Sequence, residues 1–214
     1  EVDVSSQKPW YKHDYPWLEL CEFKVPLLDT SHKEKQNEII KILESCEDTL
    51  FVYVVRDPYK SLSMTYMFYS EQDESFEHWL STPLDSSSVN YSLATEELLN
   101  PYTGECFQNH AEIRNFKILN SVQLSKHVSN FLFVQYEKLI KHPSAFIKYV
   151  AKNYNIDKID SFKPVSFFKH DLLRINFALN KHNPNKQNKI LINDNVQWDT
   201  EHLIGYEKEI IPEN

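Results

Sequence analysis

The sequence predicts an α/β fold with a mostly parallel central sheet. Leu50 to Val55 and Phe131 to Val134 are short apolar runs rich in valine and aromatic residues, which is the composition of strands. Between these runs, Asn109 to His127 carries apolar residues at helical spacing. Strands that alternate with helices are typical of parallel sheets. Because Leu50 to Val55 is apolar at every position, we expect this strand to be buried on both faces.

The composition is that of a soluble globular protein, and it sets limits on function. The chain has 214 residues, of which 41% are hydrophobic and 25% charged, so we expect a single domain over residues 1–214. No apolar run approaches the ~20 residues of a membrane-spanning helix. The net charge of −8 argues against general binding of nucleic acid, which needs a basic surface.

The cysteines and histidines indicate neither a disulfide framework nor a metal site. Cys21, Cys46 and Cys106 are an odd set without metal-type spacing, which favours reduced thiols and a cytoplasmic location. The nine histidines are scattered along the chain without the spacing of a zinc motif. We therefore expect no bound metal.

The first two helices can be placed from their start signals. Ser31 and Glu34 form a capping box before a helix that ends near Cys46. After the first strand, Asp57 can cap a second helix that begins at Pro58 and ends near residue 70. A helix, a strand and another helix thus follow one another at the start of the fold.

The later part of the chain contains further helices and two long loops. The loops are predicted from runs rich in Ser and Asn that lack a sustained apolar period. In chain order, we predict a short helix capped by Ser75, a long loop at 84–104, a helix opened by Pro143, helical structure within 157–180, a long loop at 182–195 and a last helix from Trp198 to Gly205. On the helix opened by Pro143 we expect Tyr149 to face inward. For His110 and Arg114, which lie four residues apart, we favour a solvated helix face over one that faces the ligand crevice.

Arg56 ends the first predicted strand where the second helix begins. In open α/β sheets, ligands bind beyond the carboxyl ends of the strands, and the amides of a helix N-terminus favour phosphate or sulfate. The helix dipole repels a nearby guanidinium unless an anion lies between them. We therefore favour anion binding by Arg56 over a salt bridge to a carboxylate of the protein.

Two sequence blocks point to a family. The first is VVRDPYKSLSMTY, which begins at Val54, and the second is FVQYEKLIKHP, which begins at Phe133. Together they resemble the motifs of sulfotransferases that use 3′-phosphoadenylyl sulfate: a strand, arginine and helix for the 3′-phosphate, and a later strand that ends in Tyr-Glu. The segments EIRNFKILN and HLIGYE are weaker similarities, and the four segments occur in the family's order.

The resemblance implies a P-loop-NTPase-like three-layer sandwich in which a loop after the first strand binds the donor's phosphates. The sequence contains only two glycines, Gly104 and Gly205, and no Gly-rich loop. Because the sequence begins at Glu1 and not at a methionine, we expect an N-terminal truncation that removes this loop.

The resemblance also assigns roles to residues. Arg56 would bind the 3′-phosphate of 3′-phosphoadenylyl sulfate (PAPS) or of its product adenosine 3′,5′-bisphosphate. Tyr136 would help to position this phosphate, or it would simply pack with its hydroxyl bound to a loop. The family's serine, eight residues after the arginine, corresponds here to Met64. The candidates to supply a hydroxyl instead are Ser61, Ser63 and Thr65.

Sulfuryl transfer to a hydroxyl also needs a base for the acceptor's proton and a cation for the charge that develops on the bridging oxygen. The segment Lys12 to Pro16 resembles the family's upstream histidine and proline, which implies His13 as the base and Lys12 as the cation. The alternative is that His13 is an exposed histidine in an aromatic loop.

The predicted function is transfer of a sulfuryl group from PAPS to a hydroxyl of a carbohydrate or small molecule. Two alternatives remain open at this stage. One is a P-loop kinase, for which Glu137 is the candidate magnesium-binding carboxylate. For Glu137 itself we favour a structural role as the partner of a helix N-terminus or of an arginine. The other is a non-catalytic binding module of the same fold.

Overall fold

The described part of the chain alternates helices and strands. The structure, a computed structural model, describes residues 33–45, 47, 49–69, 74–83, 100, 105–154, 167–170, 173–176 and 184–212. The elements within these ranges are α1 (Lys33–Glu44), β1 (Phe51–Val55), α2 (Pro58–Tyr69), α3 (Phe76–Ser81), α4 (His110–Leu124), β2 (Phe131–Gln135), α5 (Tyr136–Lys141), α6 (Pro143–Asn153), β3 (Phe167–His170), β4 (Leu173–Asn176), α7 (Lys186–Asn195) and α8 (Trp198–Leu203).

β1 and β2 form a two-stranded parallel sheet, which agrees with the predicted α/β class. Phe51 lies opposite Phe131, and Val55 lies opposite Gln135. Both strands therefore end at the same edge, and the residues that follow them leave the sheet side by side.

Two predicted caps are confirmed: Ser75 accepts a hydrogen bond from the amide of His78 at 3.1 Å, and Asp57 accepts from the amide of Lys60 at 3.0 Å. The predicted cap Ser31 lies outside the described residues.

The sheet has one well-packed face. Tyr53 and Val55 pack with Ile118 of α4, and Phe51 packs near Leu43 of α1. Val52 and Val54 point to the opposite face and are 42% and 48% exposed. The prediction that this strand is buried on both faces is therefore wrong for the described structure, because α1 and α4 both pack on the face of Phe51, Tyr53 and Val55.

A second apolar cluster joins α2, α3, α4 and α7, and it corrects one of the predicted loops. Residues 182–195 were expected to form a long loop, but Lys186–Asn195 is a helix. Asn185 caps it by accepting from the amide of Asn188 at 2.8 Å, and Ile192 is completely buried. The buried members of the cluster are Tyr59, Leu62, Phe76, Trp79, Leu80, Ala111, Ile192 and Val196.

Two other expectations for the C-terminal half are also corrected. Helical structure was expected within 157–180, whereas β3 and β4 form an antiparallel pair in which Lys169 lies opposite Arg174. Tyr149 of α6 was expected to face inward, but it is 50% exposed. The predicted loop at 84–104 lies outside the described residues, with the exception of Asn100.

The buried position of Ile192 can be tested against its exposed neighbour on the same helix. Ile192→Ala should lower the free energy of unfolding by roughly 2–5 kcal/mol, because it leaves a cavity in the cluster of α2, α3 and α7. Ile190→Ala is the matched control, since Ile190 is 42% exposed. Urea unfolding of the two variants makes the comparison; equal losses would contradict the packing of α7.

His110 gives a second prediction, which concerns pH. Its ring is buried and stacks on Trp79, with 4.3 Å between ring centroids. Burial, with a smaller effect of Lys117, lowers the pKa of His110 from 6.5 to about 4. Between these pH values the unfolded chain binds more protons than the folded chain, so stability is lost as the pH falls through this window.

The pH dependence is expected to amount to roughly 3 kcal/mol of unfolding free energy between pH 7 and pH 4. His110→Phe should remove this share of the acid destabilisation, whereas His202→Phe, at a half-exposed position, should leave it in place. Urea midpoints measured across the pH range provide the test. Parallel pH profiles of wild type and His110→Phe would show that His110 is not held neutral.

Candidate functional site

Arg56 and Tyr136, two of the predicted site residues, lie together at the carboxyl edge of the parallel strands. Arg56 follows β1 directly and Tyr136 follows β2 directly, so the parallel pairing brings them side by side. The guanidinium carbon of Arg56 lies 5.1 Å from the centroid of the Tyr136 ring, which is a cation–π distance. Nε of Arg56 is buried and has no hydrogen-bond partner among the described residues. This edge therefore holds a cation with an unused donor.

The amides at the start of α2 are used differently from what the sequence predicts. They were expected to face an anion, but the Asp57 carboxylate accepts from the amide of Lys60 at 3.0 Å. Glu137 Oε1 accepts from the amide of Asp57 at 3.1 Å. Two carboxylates of the protein therefore occupy two of the amides that were expected to face an anion.

The three candidate hydroxyls do not lie on one side of α2. Ser63 is buried, and its Oγ has no hydrogen-bond partner among the described residues. Thr65 donates its hydroxyl proton to the carbonyl of Ser61 at 3.0 Å. Ser61 and Thr65 lie about 40° apart around the helix, while Ser63 is turned by about 200° from Ser61. No hydrogen bond between described residues joins any of them to Arg56.

The predicted catalytic residues, His13 and Lys12, lie outside the described residues. Their assignment as base and cation stays a prediction.

The C-terminal segment crosses the same edge of the sheet. Gln135, the last residue of β2, donates through Nε2 to the carbonyl of Gly205 at 2.7 Å. Gly205 ends the last helix with φ of +83°, and a Cβ at this position would lie 2.9 Å from the Gln135 amide nitrogen. The next residue, Tyr206, is buried and has two acceptors within reach of its hydroxyl: Glu137 Oε2 at 2.7 Å and the carbonyl of Val55 at 3.0 Å.

Burial and the Glu137 carboxylate raise the pKa of Tyr206 well above its ordinary value, so its hydroxyl remains a proton donor. Burial also raises the pKa of Asp57, and the charge of Glu137 acts in the same direction. Both oxygens of Glu137 accept hydrogen bonds, one from the backbone amide of Asp57 and one from the hydroxyl of Tyr206. This arrangement makes Glu137 a structural partner of the helix N-terminus and weakens its case as a magnesium ligand.

Arg114 and Glu201 form a buried ion pair next to Arg56. Nε of Arg114 donates to Glu201 Oε1 at 2.5 Å, and Nη2 donates to Oε2 at 2.8 Å. The two side chains are only 12% and 2% exposed. Nη2 also donates to the backbone carbonyl of Arg56 at 2.7 Å. The sequence favoured a solvated helix face for His110 and Arg114, and this expectation is wrong.

Arg114 and Tyr206 were not predicted as site residues, although the sequence contains a signal for both. Arg114 lies in EIRNFKILN, and Tyr206 lies in HLIGYE, the two weaker segments of the resemblance. Contacts with the turn after β1 bring both segments to one place, although 92 residues separate Arg114 from Tyr206 along the chain. Arg114 and Tyr206 therefore belong to the candidate site together with Arg56 and Tyr136.

Comparisons with known proteins do not assign the chain to a family. Comparisons of the chain with protein-family models, with curated proteins and with solved structures each found no match. In the ranges that the structure covers, no group of three or more His, Cys, Asp or Glu residues is arranged to hold a metal ion. The helices described here include none with the length and apolar character needed to cross a membrane.

The Arg114 ion pair gives a prediction about stability. Glu201→Gln leaves the buried Arg114 without a counter-charge, so it should cost roughly 3–5 kcal/mol of unfolding free energy. Glu207→Gln is the matched control, because Glu207 is 82% exposed and pairs with His202 at the surface. Its expected cost is less than about 1 kcal/mol. Urea unfolding distinguishes the two, and a cost below 1 kcal/mol for Glu201→Gln would contradict the buried pair.

Proposed function

We propose that the protein is a sulfotransferase that binds PAPS through Arg56 and transfers its sulfuryl group to a hydroxyl of a carbohydrate or small molecule. The observation that carries the proposal is the unpartnered, buried Nε of Arg56 beside Tyr136. A buried donor on a charged group without an acceptor is costly, and a phosphate oxygen would satisfy it. The position at the carboxyl end of parallel strands is the usual ligand position in open α/β sheets.

In the proposed reaction, the acceptor's hydroxyl oxygen attacks sulfur as the bond from sulfur to the bridging phosphate oxygen breaks. The acceptor's proton passes to His13, and adenosine 3′,5′-bisphosphate leaves with the electron pair of the broken bond. Lys12 would stabilise the charge on the leaving oxygen. Arg56 binds the 3′-phosphate in donor and product alike, and the Tyr136 ring holds its guanidinium in place.

The proposal includes a fold family and a cellular location. The parallel β1–β2 pair with helices α1 and α4 on one face would be part of a P-loop-NTPase-like three-layer sandwich. The reduced cysteines expected from the sequence fit a cytoplasmic enzyme.

Ligand binding tests the role of Arg56. Adenosine 3′,5′-bisphosphate at about ten times its Kd should stabilise the protein by about 1.4 kcal/mol. This corresponds to a rise in Tm of about 3–6 °C for a chain of this size. Arg56→Ala should abolish the rise, because it removes the cation and the unpartnered donor. Lys138→Ala, which removes an exposed positive charge two residues after Tyr136, is the matched control and should preserve it.

A second ligand makes the test specific for the 3′-phosphate. Adenosine 5′-monophosphate lacks this group, so wild type and Arg56→Ala should respond to it equally. Absence of any response of wild type to the bisphosphate would overturn the proposal. Binding of the bisphosphate without sulfuryl transfer from PAPS to any hydroxyl acceptor would favour the non-catalytic module, and a response only to ATP with magnesium would favour the kinase.

A further inference from the structure

Three backbone polar groups where β1 ends and α2 begins are each bound by a side chain from a distant part of the chain. The carbonyl of Val55 lies 3.0 Å from the hydroxyl of Tyr206. The carbonyl of Arg56 accepts from Arg114 at 2.7 Å, and the amide of Asp57 donates to Glu137 at 3.1 Å. The backbone on both sides of the Arg56 side chain is therefore fixed by groups from α4, α5 and the C-terminal segment.

Arg114 is the most demanding of these groups, because it is a buried cation. Glu201 binds it through two hydrogen bonds of 2.5 and 2.8 Å, which orients the planar guanidinium. The second N–H of Nη2 then donates to the carbonyl of Arg56. Replacing a buried ion pair with apolar residues often preserves or raises stability, so stability alone does not explain a pair in this place.

We propose that Arg114, oriented by Glu201, is a positioning residue for anion binding by Arg56. The hydrogen bond to the Arg56 carbonyl sets the backbone from which the Arg56 side chain extends toward Tyr136. A misplaced guanidinium would lose its directed contact with a phosphate, although its charge would remain. This inference rests on the proposed function, since it assumes that Arg56 binds the 3′-phosphate.

The double variant Arg114→Met/Glu201→Met tests the inference. It removes the ion pair without leaving a buried charge, so the folded protein should persist. Because the Arg56 carbonyl loses its partner, we expect a Tm a few degrees below that of wild type. Its Kd for adenosine 3′,5′-bisphosphate should rise roughly tenfold, which corresponds to one lost hydrogen bond of the charged type. Its Kd for adenosine 5′-monophosphate should not change. His202→Gln/Glu207→Gln removes an exposed pair and is the matched control.

A spectroscopic measurement reports on Arg56 directly. The chain contains three arginines, Arg56, Arg114 and Arg174, so a ¹⁵N-labelled sample gives three side-chain Nε–Hε signals. In the double variant two remain. The Arg56 signal should exchange faster with solvent than in wild type, because its side chain is no longer held in the buried position. A role of Arg114 in folding alone would leave the Arg56 signal unchanged.

Arg114→Lys is a second variant that keeps the positive charge beside Glu201. A lysine ammonium cannot reproduce the fork that contacts Glu201 and the Arg56 carbonyl together, so the bisphosphate Kd should again rise. If wild type binds the bisphosphate and both Arg114 variants bind it equally well, the positioning role is overturned and the proposed function stands. If wild type does not bind the bisphosphate, both are overturned.

Discussion

The turn between β1 and α2 places three backbone polar groups in buried or part-buried positions, and side chains from three other parts of the described structure supply their partners. A buried carbonyl or amide without a partner costs about as much as a lost hydrogen bond. The backbone groups of Val55, Arg56 and Asp57 have side-chain partners that come from beyond α8, from α4 and from α5, respectively. The conformation of the turn therefore depends on the tertiary packing of the segments that supply these side chains.

The C-terminal segment contacts this region through its backbone as well as through the side chain of Tyr206. Gln135 binds the carbonyls of Ile204 and Gly205, which ties the segment to the end of β2. The positive φ of Gly205 lets the chain turn out of α8 and return across the sheet edge. Further along, the amide of Glu209 donates to the hydroxyl of Tyr59 at 2.8 Å, which ties the same segment to α2. One short stretch thus contacts both elements that flank Arg56.

Local sequence patterns predicted the elements that depend on local physics. The apolar runs identified β1 and β2, and Asp57 and Ser75 cap their helices as their positions indicate. The helix at Lys186–Asn195 was missed because its Asn-rich composition has low helix propensity, and the burial of Ile192 overrides that propensity. Burial of this kind depends on partners far along the chain.

In the candidate site too, some contacts follow from local sequence and others do not. The proximity of Arg56 and Tyr136 could be predicted, because each directly follows a strand and parallel strands end at one edge. The partner of Arg114 could not be predicted, since 87 residues separate it from Glu201 and a charged residue on a helix is solvated in most proteins. Glu137 was placed correctly as a partner of a helix N-terminus, because a carboxylate has few other uses beside unpaired amides.

The charges around the turn limit how an anion can bind there. Arg114 is neutralised by Glu201, and the carboxyl groups of Asp57 and Glu137 lie at the same turn as Arg56. The net charge of the chain is also negative, at −8. An approaching phosphate therefore gains little from long-range attraction, and the binding energy must come from short contacts with the Arg56 guanidinium. A single arginine supplies only part of the affinity for a dinegative phosphate. The proposed donor thus requires a second phosphate-binding element besides Arg56.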